Sequence, residues 1–163
     1  SGYGSHSGGI AGCLVGYSRI EDCENNGELN NPGVAGGIVA ELMQSTIKDE
    51  AFVIGCTNNA RIGVSKDAGG IVGISSAVTQ ISDCTNEGII TGYSAGGILA
   101  TSVAITNIDN CTNNADLSTS TATPHTVGGI VANAFGYSYY IVDREGNKNI
   151  FAIDEDTTMI IDG

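Results

Sequence analysis

At 163 residues the chain has the length of one domain, long enough to bury a sizeable core. Hydrophobic residues make up 41% but aromatics only 6%, and Trp is absent, which argues against a globular α/β core built on large rings. A net charge of −12 with six basic residues repels phosphate backbones and anionic lipid, so no nucleic-acid partner and no membrane insertion are expected.

The opening segment, Ser1-Gly2-Tyr3-Gly4-Ser5-His6, is neither basic nor apolar, and no later stretch approaches the ~20 apolar residues of a membrane helix. The chain is read as a fragment of a larger one, with any secretion signal or wall anchor outside it. From residue 8 a unit repeats. The first runs Gly8-Gly9-Ile10-Ala11-Gly12, then Ile20, Cys23, Asn25, Gly27 and Leu29. The second has Gly36-Gly37-Ile38-Val39-Ala40, an insertion around Gln44–Glu50, then Val53, Cys56, Asn58, Ala60 and Ile62. The third has Gly69-Gly70-Ile71-Val72-Gly73, then Ile81, Cys84, Asn86, Gly88 and Ile90. The fourth has Gly96-Gly97-Ile98-Leu99-Ala100, then Ile108, Cys111, Asn113, Ala115 and Leu117, followed by an insertion around Ser118–Pro124. A fifth opens at Gly128-Gly129-Ile130-Val131-Ala132, but no Cys-x-Asn follows.

The glycine pairs stand at intervals of 28, 33, 27 and 32 residues, one unit of about 27 with two insertions. That period selects the fold. Paired glycines cost a helix ~1 kcal/mol each, and propeller blades need ~40 residues. A unit of this length with short β-branched runs fits one coil of a solenoid with three sides. The expected architecture is all-β: a right-handed parallel β-helix of about five coils over residues 1–135, closed by cap strands over 136–163. The columns Ile10, Ile38, Ile71, Ile98 and Ile130, the Ile/Val column and the Leu/Ile column should fill one interior. Cys23, Cys56, Cys84 and Cys111 should form a further inward column, with Asn25, Asn58, Asn86 and Asn113 at the corner between it and the Ile/Val column. The odd offset from the Ile/Val column to Cys requires a corner or bulge between them.

These units resemble the GLUG-type repeats of bacterial secreted and cell-surface proteins, on Gly8–Gly12, Gly69–Gly73 and Ile81-Ser82-Asp83-Cys84-Thr85-Asn86-Glu87-Gly88, over residues 7–135. The resemblance implies an adhesin-like or immunoglobulin A peptidase-associated β-solenoid, extracellular or on the bacterial surface, and no catalytic residues. The expected function is a non-catalytic structural or adhesive module. The alternative is an accessory domain of a secreted enzyme that degrades glycans or proteins. Its partner would be a host or cell-wall glycan or protein.

Sharper chemistry is weighed against packing. Without close Cys pairs zinc is not expected, and one Cys per unit in one register points to buried thiols, with one or more disulfides as the alternative. Cys13 stands outside the column. Asp22 and Asp83 share a position that Gly55 and Asn110 interrupt, and His6 and His125 lie outside the columns, so no catalytic constellation forms. Asp154-Glu155-Asp156 reads as a solvated turn rather than an ion site, and no cofactor is expected. Column residues are committed to packing, so the binding candidates are the insertions: Gln44, Lys48, Asp49, Glu50, Thr119, Thr121 and His125.

Overall fold

Short β-branched segments punctuated by glycine favour strands that end every few residues at a corner. The computed structural model describes residues 5–46, 48–119 and 126–135, and the backbone of Tyr139–Val142 and Met159–Asp162. The described chain is all strand and turn, wound as a parallel β-solenoid of about four turns.

The first coil holds β1 (His6–Gly8), β2 (Ala11–Val15), β3 (Ser18–Glu21) and β4 (Glu24–Asn25). The second holds β5 (Val34–Gly36), β6 (Val39–Met43), β7 (Glu50–Ile54) and β8 (Thr57–Asn58). The third holds β9 (Ile62–Gly69), β10 (Val72–Ser76), β11 (Val78–Ser82) and β12 (Thr85–Asn86). The fourth holds β13 (Ile90–Gly96), β14 (Leu99–Ser102), β15 (Thr106–Asp109) and β16 (Thr112–Asn113). There follow β17 (Leu117–Thr119), β18 (Thr126–Gly128), β19 (Val131–Ala134), β20 (Tyr139–Val142) and β21 (Met159–Asp162).

Corresponding strands of successive coils pair in parallel. Sheet A stacks β1, β5, β9 and β13, and then both β17 and β18 on β13; sheet B stacks β2, β6, β10, β14 and β19. Sheet C runs from β3 through β7, β11 and β15 to β20 and β21, and sheet D joins the two-residue strands β4, β8, β12 and β16. A coil therefore has three main sides and a short fourth. Of the expected cap over 136–163, only β20 and β21 are described, and both extend sheet C in parallel rather than leaving the coil pattern.

The Gly-Gly-Ile segment turns the chain from sheet A into sheet B without breaking the ladder between coils. Gly37 N donates to Gly69 O at 3.0 Å and Ile38 N to Ile71 O at 2.9 Å, and the same bonds recur one coil on. Glycine is required there by close approach. A Cβ on Gly70 would lie 2.0 Å from Gly97 O and 2.5 Å from Asn86 Cγ, and Gly9, Gly37 and Gly97 likewise lie directly against the asparagine column.

The interior is two cores rather than the single one expected. The larger packs Ile38, Ile71, Ile98 and Ile130 with the Val39 column, Ile20, Val53, Ile81 and Ile108, and the thiols Cys56, Cys84 and Cys111. The smaller packs Ile62 and Ile90 with Ala35, Ala68 and Ala95, flanked by Leu29 and Leu117. The Leu/Ile column thus belongs to a separate cluster with the alanines of sheet A, and the second glycines and the asparagines they touch join neither cluster. Ile10 departs from its column: it is 45% exposed, since no described coil covers the first one. Each fully buried Ile contributes about 1.5–3 kcal/mol of transfer free energy, so the stacked columns are the main source of stability.

The corner demanded between the Ile/Val and Cys columns is a left-handed residue. Asp22, Gly55, Asp83 and Asn110 occupy it with φ of 50°, 62°, 55° and 50°, whereas the asparagines expected at this corner lie beyond the cysteines, in the strands of sheet D. Gly, Asn and Asp are the residues that enter this region at least cost, which explains why the column alternates among them.

Candidate functional site

Most of the repeated chemistry is consumed internally. Asn25 Nδ2 donates to Asn58 Oδ1 at 2.8 Å, Asn58 to Asn86 at 2.8 Å and Asn86 to Asn113 at 2.7 Å. The second hydrogen of Asn58, Asn86 and Asn113 goes to the carbonyl two residues on. Asn58 and Asn86 are fully buried, Asn25 nearly so, and Asn113 is half-buried at the end of the row. In a dry interior such a continuous row satisfies the amides of Asn58 and Asn86 in full, and a gap in it would be costly.

All five cysteines are free thiols. Cys56, Cys84 and Cys111 are buried, Cys23 is half-buried in the uncovered first coil, and Cys13 is exposed. Each column thiol donates to the carbonyl two residues earlier, at 3.2–3.4 Å. The Cys111 thiol and burial push Cys84 up to about 12, and Cys84 raises Cys56 further still. Thiols so protonated are poor nucleophiles. Among the described residues no group of three or more His, Cys, Asp or Glu side chains is placed to hold a metal ion.

The carboxylates of the corner column are exposed, and Asp83 Oδ1 accepts from Asn110 Nδ2 at 2.6 Å. His6 pairs in register with Val34 at the head of sheet A, and its Nε2 lies 2.7 Å from Glu41 Oε2. Thr101 Oγ1 donates to Asp67 Oδ1 at 2.7 Å and Asn133 Nδ2 to Ser94 Oγ at 2.8 Å. These three pairs brace sheet A against sheet B. His6, Asp67 and Ser94 alternate along their strands with positions that face the smaller core, so the braces lie on its opposite side.

Of the binding candidates, Gln44 and Lys48 are exposed in the loop between β6 and β7. Asp49 is occupied: its Oδ2 accepts from Ser45 N, Ser45 Oγ and Thr46 N at 2.6–2.9 Å. The Ser45 hydroxyl and the Thr46 amide hold its carboxyl below the ordinary value. Glu50 is not in the insertion but opens β7, and Thr119 closes β17. Thr121 and His125 lie outside the described residues, as does Asp154-Glu155-Asp156.

The outer face of sheet C carries chemistry that the repeat did not flag. Arg19, Phe52, Gln80 and Asn107 are in register across four coils, each next to an inward-facing Ile or Val. Tyr17, 69% exposed, meets the Phe52 ring at 5.9 Å between centroids with a 57° tilt. The Arg19 guanidinium lies 5.4 Å from the Phe52 centroid and is hydrogen-bonded to Glu21, whose carboxyl is thereby held low. Beside Phe52 a shallow hollow of about 70 Å³ is lined by Glu50, Phe52, Val78, Thr79, Gln80 and Asn107. Lack of repetition was the only signal available, since the residue before each inward Ile or Val is Arg, Phe, Gln and Asn in turn. Compared with family models, with curated proteins and with solved structures, the chain matched none.

Proposed function

We propose that the chain is a non-catalytic repeat module of a secreted or cell-surface bacterial protein, acting as a rigid spacer or ligand-presenting stalk. The observation that carries this reading is the buried asparagine row, which with the flanking glycine pairs ties four coils into one continuous stack. A solenoid held at every coil resists bending and presents its outer faces at fixed spacing. The likeness of its units to GLUG-type repeats supports the surface placement, and the acidic net charge of −12 suits exposure to solvent.

The test pairs shape with chemistry. Small-angle scattering should give the profile of a single rigid body, since four coils at ~4.8 Å stack to only about 20 Å and form no rod by themselves. Hydrogen exchange should show the sheet amides of the inner coils protected to a similar degree and more than those of the uncovered first coil. Incubation with polysaccharide and peptide substrates should release no new reducing ends or amines. Turnover of either kind, lost on substitution of an outward residue, would replace the structural reading with an enzymatic one.

A further inference from the structure

We propose that the outer face of sheet C around Phe52 is a binding platform for a neutral, hydroxyl-rich glycan chain. The inference deepens the ligand-presenting reading and rests on it. Its starting point is the hollow lined by Glu50, Phe52, Val78, Gln80 and Asn107, which spans β7, β11 and β15. Phe52 supplies an aromatic surface held from one side by Tyr17 and Arg19. Glu50, Gln80 and Asn107 are exposed, and neither amide is hydrogen-bonded to another described residue. In register, Gln80 and Asn107 stand one coil apart, ~4.8 Å, and each offers donors and an acceptor.

Geometry selects the ligand class. Enclosed small-molecule sites measure roughly 300–1,000 Å³, so a hollow of about 70 Å³ admits one group of a ligand that lies across the surface. A peptide adding as a strand needs an unpaired sheet edge, whereas β7, β11 and β15 are each paired on both sides. Recognition there falls to side chains alone. An aromatic surface flanked by amides and a carboxylate fits a ring with an apolar face and hydroxyls around its rim. The net charge of −12 repels sulfated or uronic chains, and the Arg19 charge is already engaged by Glu21.

The test titrates the chain with cellotetraose, chitotetraose and mannotetraose, read by saturation-transfer NMR and calorimetry. At least one should bind with Kd of about 1 mM or tighter. Gln80→Ala and Asn107→Ala should together weaken it about tenfold, with Tm unchanged within a few degrees because both side chains are exposed. Phe52→Ala should abolish it. Absence of binding by all three at about 10 mM would overturn the platform, and scattering would still decide the spacer reading independently. Binding that survives the double substitution but disappears when the 44–49 loop is shortened would also overturn it, while leaving the ligand-presenting reading standing.

Discussion

Replacing Asn86 tests whether the asparagine row holds the coils together or merely fills space. The side chain is fully buried and makes four hydrogen bonds. Its Nδ2 donates to Gly88 O at 3.0 Å and Asn113 Oδ1 at 2.7 Å, while its Oδ1 accepts from Asn58 Nδ2 at 2.8 Å and Gly88 N at 3.3 Å. Asn86→Ala removes all four and leaves their partners in a dry interior. At about 1 kcal/mol net per bond the loss is about 4 kcal/mol, a large share of the roughly 5–15 kcal/mol by which domains are stable. Followed by circular dichroism in urea, the midpoint should fall by about 2 M for a slope near 2 kcal/mol/M, with the slope unchanged.

Asn86→Asp separates bonding from shape. The carboxylate keeps the volume but sets acceptor against acceptor at Asn113 Oδ1 and Gly88 O, so at pH 7 it should destabilise at least as much as alanine. Burial raises the folded pKa of this aspartate above its unfolded value of about 3.9. The deficit should therefore be smallest below about pH 3.9, where the protonated acid regains one donor, and grow as pH rises through the folded pKa. Asn114→Ala, which removes only the exposed bond to Glu87, is the control and should stay within about 0.5 kcal/mol of wild type. An Asn86→Asp variant within about 1 kcal/mol of wild type at pH 7 would refute the reasoning.

Other perturbations read different parts of the stack. Gly70→Ala should prevent folding or lower Tm sharply, because its Cβ meets backbone at 2.0 Å, whereas Gly27→Ala, with 3.6 Å to its nearest neighbour, should be tolerated; equal Tm values for the two would contradict the close-approach argument. Titrated with a thiol reagent in the native state, Cys13 should react first and Cys23 more slowly, while Cys56, Cys84 and Cys111 wait for denaturant; mass mapping of the labelled peptides checks the order. Asp49 has a depressed folded pKa, so its support of the 45–49 turn is present above the ordinary carboxylate value and lost as pH falls through the lower folded one. Amide protection at Ser45 and Thr46, taken relative to the intrinsic exchange rate at each pH, should then fall below about pH 3.9, with that of the strand amides unaffected.

What the sequence made legible is what the stack forces to repeat. Identical neighbours at one level demand identical residues, so the glycine pairs, Ile38, Ile71, Ile98, the thiols and the asparagines stand out as columns. The left-handed corner was legible as a parity conflict between the Ile/Val and Cys columns, although not as the positive φ that Asp22, Gly55, Asp83 and Asn110 adopt. The division of the interior into two clusters was not legible. Apolar columns of the same type look alike in sequence, so nothing in it assigns Ile62 and Ile90 to a different cluster from Ile71 and Ile98. Asp49 shows a related limit: an insertion marks where packing relaxes, and a carboxylate there is free to bond its own turn, which the pattern of the repeat does not show.

Binding chemistry is hidden from a repeat for the same physical reason that the repeat exists. Inward positions are copied from coil to coil because each must stack on its own kind, and a position that varies has been released from that demand. Arg19, Phe52, Gln80 and Asn107 share one register on sheet C, yet no two are alike. Their inward neighbours Ile20, Val53, Ile81 and Ile108 are nearly invariant and all buried. The contrast places variation and exposure on the same residues, one position away from the most constrained column in the fold. Among the described residues, selectivity for a partner would come from such outward columns or from the 44–49 loop. Of the two, only sheet C offers an aromatic ring and amides that bond no other described residue, on strands that the core holds fixed.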